Sequence, residues 1–277
     1  MGFHAQLDRS WAAAGSMLCV GLDPDPARFP AHLGTGLDAV QRFCVEIVDA
    51  TAHVACAFKP QIAYFASIGA EAQLEAVCAH IRSEHPDRTL ILDAKRGDIG
   101  STADHYAREA FQRYGAHAVT GNPYRGTDSI EPFFDPRNNA DGGGVILLCR
   151  TSNPGGDDLQ SLVATDDAGS GRPLYVHVAD RVATQWSQLG DCGLVVGATY
   201  PTELADVRSI VGDLPLLVPG IGAQGGDPAT VREHGATPDG RGLMVSSSRA
   251  ILYASDGDDS TEAARAEAER TASALSV

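Results

Sequence analysis

Eight short apolar runs, separated by helix-length stretches, constrain this chain more than any other feature. They occupy residues 17–23 (MLCVGLD), 53–61 (HVACAFKPQ), 89–92 (TLIL), 118–121 (AVTG), 144–150 (GVILLCR), 194–198 (LVVGA), 214–219 (LPLLVP) and 242–246 (GLMVS). None alternates polar with apolar at a period of two, so each reads as a strand buried on both faces. Helical spacing occupies 37–51, 68–84, about 102–114, 175–189 and the Ala/Glu/Arg-rich stretch from 260. Strands alternating with helices predict parallel α/β architecture. Eight such units in 277 residues suit a closed (β/α)8 TIM barrel, as one domain over 1–277. The alternative is an open doubly wound sheet, but no G-x-G-x-x-G follows the first run to support a dinucleotide site.

One interval breaks the rhythm. Residues 155–171 (GGDDLQSLVATDDAGSG) are acidic, glycine-bearing and long for a connection. They read as a mobile insertion, either a lid over a site or a passive loop.

Charge narrows the partners. A net charge of −15 argues against nucleic acid and anionic membrane surfaces. An anionic substrate would need a pocket that is basic against this global field. No apolar run reaches the roughly 18 residues of a membrane span, and the N-terminus lacks a signal-peptide pattern. Six cysteines (19, 44, 56, 78, 149 and 192) form no C-x-x-C pair and lie mostly in apolar segments. Buried free thiols in a reducing cytosol are expected, and with them a cytoplasmic protein without structural zinc.

In a barrel of this kind the C-terminal strand ends share one face. Polar residues at those ends are Asp23, Lys59, Asp93, Lys95, Asn122, Ser152, Gln224 and Arg249. Alone, the D-x-K-x-x-D of Asp93, Lys95 and Asp98 would pass for a solvated loop with local ion pairs. On an extended backbone, though, Asp93 and Lys95 point to one side with Cα atoms roughly 7 Å apart. Asp98, past Gly97, is free to point elsewhere. A second signal follows the seventh and eighth runs. The glycine-rich turn 219–226 (PGIGAQGG) offers bare N–H groups to an anion, and Arg249 follows three serines. Together they suit a phosphate.

Asp93-x-Lys95-x-x-Asp98-Ile-Gly-x-Thr102, with Gly21-Leu-Asp23 and Phe58-Lys59 upstream, resembles the orotidine 5′-phosphate decarboxylase family. Residues 58–65 (FKPQIAYF), 122–124 (NPY) and 219–222 (PGIG) resemble its longer bacterial branch. The matching segments run from Gly21 to Arg249. The resemblance implies a homodimeric TIM barrel that converts orotidine 5′-phosphate to UMP and CO2 without metal or organic cofactor. It implies that Lys59, Asp93 and Lys95 act in one subunit, with Lys95 the proton donor, and that Asp98 reaches the neighbour's site. Asp23, and Thr102 from the partner, would hold the ribose; Ser152 would meet the pyrimidine; Gln224 and Arg249 would hold the phosphate. Loop lengths around Ser152 and Gln224 depart from compact family members, so Thr151, Ser152 and Asn153 all stand as candidates for the base contact.

Two other readings remain. A sugar-phosphate decarboxylase or epimerase of the same scaffold shares D-x-K-x-x-D but uses Mg2+. A non-catalytic barrel would bind a phosphorylated metabolite without releasing CO2. A Schiff-base aldolase is disfavoured, because it needs a neutral lysine and flanking carboxylates favour the ammonium.

Overall fold

The computed structural model describes residues 1–165, 169, 171–221 and 225–277. Eight parallel strands close a barrel: β1 (Leu18–Leu22), β2 (Ala55–Pro60), β3 (Thr89–Arg96), β4 (Ala118–Gly121), β5 (Gly144–Arg150), β8 (Cys192–Val196), β9 (Leu216–Pro219) and β10 (Leu243–Ser247). The strands missing from that count, β6 (Val163–Thr165) and β7 (Gly171–Pro173), pair antiparallel outside it. Every residue of β1, β2, β4, β8 and β10 is buried, the outcome of runs apolar on both faces. The TIM barrel expected from the spacing is the fold observed.

Among the helices, α1 (Phe3–Ala14), α2 (Leu37–Thr51), α3 (Ile62–Ala66), α4 (Glu71–Glu84) and α5 (Gly100–Arg108) precede or separate the first four strands. They are followed by α6 (Leu174–Thr184), α7 (Pro201–Val211), α8 (Pro228–Gly235), α9 (Arg249–Leu252) and α10 (Ser260–Ala274). α2 illustrates the outer layer, burying Val40, Phe43, Cys44, Ile47 and Val48 at helical spacing in the apolar core.

Helix α1 was not expected. It buries Phe3, Leu7 and Trp11, one turn apart, and ends at Gly15 in the left-handed conformation (φ 64°). Its polar groups reach the starts of three strands: Ser10 Oγ lies 2.8 Å from Thr89 Oγ1, Trp11 Nε1 donates to Leu243 O at 2.8 Å, and His4 Nε2 lies 2.8 Å from Cys192 O. It therefore covers the N-terminal mouth of the barrel and leaves the C-terminal mouth for chemistry.

Several boundaries also differ from expectation. β3 continues beyond Leu92 to Arg96, so Asp93 and Lys95 belong to the strand itself. β8 begins at Cys192, two residues before the expected run, because Cys192 and Gly193 pair with Val145 and Ile146. Within 155–171, the described residues form a short turn at Pro154–Asp158 and the β6–β7 hairpin. Three-residue strands are too short to register as a period. The cysteines are free and buried, and burial pushes Cys19, Cys78, Cys149 and Cys192 up to about 12, too high for nucleophilic work. Among the described residues no helix is long and apolar enough to cross a membrane.

Candidate active site

Lys59, at the end of β2, and Asp93 and Lys95, near the end of β3, meet at the C-terminal mouth. Lys59 Nζ donates to Asp93 Oδ2 at 2.9 Å and Lys95 Nζ to Asp93 Oδ1 at 2.6 Å. Lys59 and Asp93 are buried, with side chains 7% and 9% exposed, whereas that of Lys95 is 46% exposed. Burial on its own would push the Asp93 carboxyl up. Lys59 and Lys95 outweigh it and hold the group well below the usual carboxylate range. Burial would likewise push the Lys59 ammonium down, but Asp93 and Asp23 hold it above its ordinary value.

The same-side geometry expected of a plain strand is reached by another route. β3 and β4 pair regularly at Ile91↔Ala118 and Leu92↔Val119, then resume at Arg96↔Gly121 with the register shifted. Lys95 sits in this bulge at φ 48°, the one non-glycine residue at positive φ among those described. Thr120, from β4, fills the gap. Its Oγ1 accepts from the N–H groups of Ala94 and Lys95, each at 3.0 Å, and donates to Asp93 Oδ1 at 2.8 Å.

Asp98 does not join Lys95 within the chain. It pairs with Arg125 at 2.6 Å and accepts from the Ile99 N–H at 2.9 Å. Thr102 is exposed in the first turn of α5. Asp23 follows β1, and its Oδ1 is buried without a hydrogen-bond partner. Tyr253 fixes that loop, its hydroxyl donating to Asp23 O at 3.0 Å and accepting from the Asp25 N–H at 2.7 Å.

Two cavities share Lys59 and Pro219. One, of about 480 Å3, is lined by Asp93, Lys95, Thr120, Thr151, Ser152, Asn153 and Gln160. The other, of about 150 Å3, is lined by Asp23, Gly220, Ile221, Ser246, Ser248 and Arg249. Arg249 opens α9 just after β10. Gly21 lets β1 pass close beside it: a Cβ there would lie 1.9 Å from Ser248 Oγ and 3.0 Å from Ser248 Cβ. Gln224 lies outside the described residues. Lys59, Lys95 and Arg249 against Asp23 and Asp93 leave the mouth one positive charge in a chain of −15.

Several residues at the mouth carried no signal in the sequence. Thr120 passes for a β-former in an apolar run. Arg150, 2% exposed, bonds to Asp157 at 2.7 Å and lies 3.8 Å over the Tyr200 ring, tying the 155–171 insertion to β5. Gln160, in that insertion, accepts from the Thr151 N–H and donates to Thr151 Oγ1, both at 2.8 Å. Elsewhere, Asp49 accepts from His80 and His85 at 2.7 and 2.8 Å, linking α2 to the end of α4. These three ligand atoms lie within 4.8 Å of one another, the one such grouping among the described residues.

The model of the orotidine 5′-phosphate decarboxylase/HUMPS family matches residues 16–266. The chain belongs to this family. It is 60% identical over 265 residues to the orotidine 5′-phosphate decarboxylase of Bordetella petrii, covering 95% of this chain and 94% of that one. The corresponding enzyme of Aromatoleum aromaticum is 59% identical over 275 residues, covering 99% and 98%. Among solved structures, the OMP decarboxylase of Leishmania donovani superposes with a TM-score of 0.82 at 36% identity, covering 99% of this chain and 98% of that one.

Proposed function

We propose that this chain converts orotidine 5′-phosphate to UMP and CO2, the last step of de novo pyrimidine nucleotide synthesis, in the cytoplasm. The reading is carried by the Lys59–Asp93–Lys95 array at the mouth, one cavity wall away from Arg249. Loss of CO2 from C6 leaves an electron pair in the ring plane, out of reach of ring resonance. That carbanion needs a cation where its charge appears and a proton to quench it. Lys95 supplies both. The C6–carboxylate bond breaks, its electron pair stays on C6, and an N–H proton of Lys95 moves to C6. The half-exposed amine then regains a proton from water.

Asp93 aims Lys95 through a charge-assisted bond of 2.6 Å. Lys59 balances Asp93, so the array stabilises the carbanion-like transition state with charge already in place. Arg249 and Gln224 hold the phosphate, Asp23 the ribose, and Ser152 the pyrimidine. The unpartnered Oδ1 of Asp23 suits a sugar hydroxyl donor.

The active form is a homodimer, with Asp98 and Thr102 entering the neighbouring site. Supporting this, Ile99 and Tyr124, the chain neighbours of the paired Asp98 and Arg125, are 47% and 82% exposed, large apolar side chains suited to burial. Residues 155–171 are an insertion within a single domain, bordering the base cavity through Leu159 and Gln160.

The test is the loss of orotidine 5′-phosphate absorbance with purified, chelator-treated protein. Saturable turnover releasing one CO2 per UMP is expected. Binding of UMP without CO2 release, or activity only after Mg2+ is restored, would overturn the assignment.

A further inference from the structure

We infer that Thr120 is a positioning residue for the Asp93–Lys95 pair, one hydroxyl holding both the kinked backbone under Lys95 and the carboxylate it meets. This rests on the reaction proposed above.

Between Leu92↔Val119 and Arg96↔Gly121, three residues of β3 (Asp93, Ala94 and Lys95) stand opposite one residue of β4, Thr120. A bulge of this size takes N–H groups out of the ladder, and a buried N–H without an acceptor is costly. Thr120 Oγ1 replaces the missing acceptors by taking the N–H groups of Ala94 and Lys95, both at 3.0 Å. Its own proton goes to Asp93 Oδ1, the oxygen that Lys95 Nζ also reaches. The residue is 1% exposed, at the wall of the cavity that Lys95 also lines. Lys95 therefore leaves the strand in a left-handed conformation, and its ammonium returns to a carboxylate fixed by the same hydroxyl.

Valine has nearly the shape of threonine but offers neither acceptor nor donor. In Thr120→Val the Ala94 and Lys95 N–H groups lose their partner, and the bulge relaxes toward other acceptors. Asp93 then keeps only its lysines, and Lys95 is carried off line. Misplacing a reacting group by about 1 Å costs on the order of 100-fold. Phosphate and ribose contacts arise elsewhere on the mouth, so binding is spared.

Wild type, Thr120→Val and Thr120→Ser are compared by kcat and KM on orotidine 5′-phosphate and by UMP affinity. Thr120→Val should lose about 100-fold in kcat, while KM and UMP affinity move by less than about threefold. Thr120→Ser, which keeps the hydroxyl, should stay within about threefold of wild type in kcat. A valine variant with near-wild-type kcat, or a serine variant as impaired as valine, would overturn the assignment. If the valine variant does not fold, the serine variant decides. A serine variant below about a tenth of wild-type kcat shows that the methyl's packing matters and not the hydroxyl. Wild-type protein that releases no CO2 would overturn the reaction itself, an outcome visible before the variants are compared.

Discussion

Lys95 should be replaceable at almost no cost to the fold while the chemistry disappears, and glycine should be tolerated better than alanine. A non-glycine residue in the left-handed region costs about 1–2 kcal/mol, and Lys95 sits there at φ 48°. Lys95→Ala keeps that strain and loses the bond to Asp93. Because the amine is 46% exposed, that ion pair contributes at most about 1 kcal/mol after screening. Asp93 is not orphaned, since Lys59 and Thr120 still hold it at 2.9 and 2.8 Å. Lys95→Ala should therefore lose no more than about 1 kcal/mol.

Lys95→Gly loses the same ion pair but releases the strain, against roughly 0.5–1 kcal/mol for glycine's extra freedom when unfolded. It should be about 0.5–1 kcal/mol more stable than the alanine variant. For a chain of this size each kcal/mol moves Tm by about 2–4 °C, so thermal melts resolve the order. In turnover both variants fail alike. Losing a general acid costs about 100- to 10,000-fold, and losing preorganised charge costs a further 100-fold or more, so a drop of at least about 10,000-fold is expected. Circular-dichroism melts and orotidine 5′-phosphate absorbance read the two effects separately. An alanine variant that melts above glycine would refute the strain argument; near-normal turnover in either would remove Lys95 from the mechanism.

Arg249→Ala should lower kcat/KM on the phosphorylated substrate by roughly 100-fold, the worth of a charge-assisted pair, and leave the phosphate-free nucleoside unaffected. An equal loss on both would argue against a phosphate contact. Inactive Lys95→Ala and Asp98→Ala proteins, dissociated and mixed, should recover about a quarter of wild-type activity. Half the dimers are then mixed, with one intact site in two. No recovery despite proven subunit exchange would place Asp98 in its own subunit's site. Asp93 has a lowered folded pKa, so its stabilisation is complete above the unfolded value near 4 and fades only as pH falls through the folded one. Lys59 is raised, so its share is complete below about 10 and fades as pH rises through the folded value. Both groups of the pair should hence stay charged in the folded wild type from about pH 5 to 9, and an Asp93 carboxylate band, assigned in infrared difference spectra against Asp93→Asn, that fades inside that window would contradict the pairing.

The barrel was legible because its strands are buried on both faces and so appear as unbroken apolar runs. The charged strand ends were legible for the complementary reason: a Lys, an Asp and an Arg directly after such runs have one shared mouth to occupy. What escaped the sequence depends on side chains completing a backbone from a distance. Asp-Ala-Lys carries no mark of a bulge, and the reading from a plain strand put Asp93 and Lys95 on one side by a geometry the molecule does not use. Thr120, 25 residues from Lys95, lends the bulge its hydroxyl. Asp98 is turned to Arg125, 27 residues away, a pairing that local spacing cannot announce. Helix α1 escaped because eight strand–helix units already account for a barrel, and a helix capping the mouth adds no further period.

The two mouths divide stability from chemistry in a way the energetics require. At the N-terminal mouth, Phe3, Leu7 and Trp11 on the inner face of α1 are sealed from water, so apolar burial works there. At the C-terminal mouth a carboxylate sits 9% exposed, a burial that would cost several kcal/mol if unpaired. It is tolerated because both oxygens are taken: Oδ2 by Lys59, and Oδ1 by Lys95 and Thr120. Once Asp93 is neutralised by Lys59, the charge of Lys95 is surplus to folding and available to the substrate. That is why the array can be rigid and reactive together. On the mechanism proposed above, the buried lysine holds the carboxylate in place and the half-exposed lysine, on a strained residue the barrel can spare, meets the substrate.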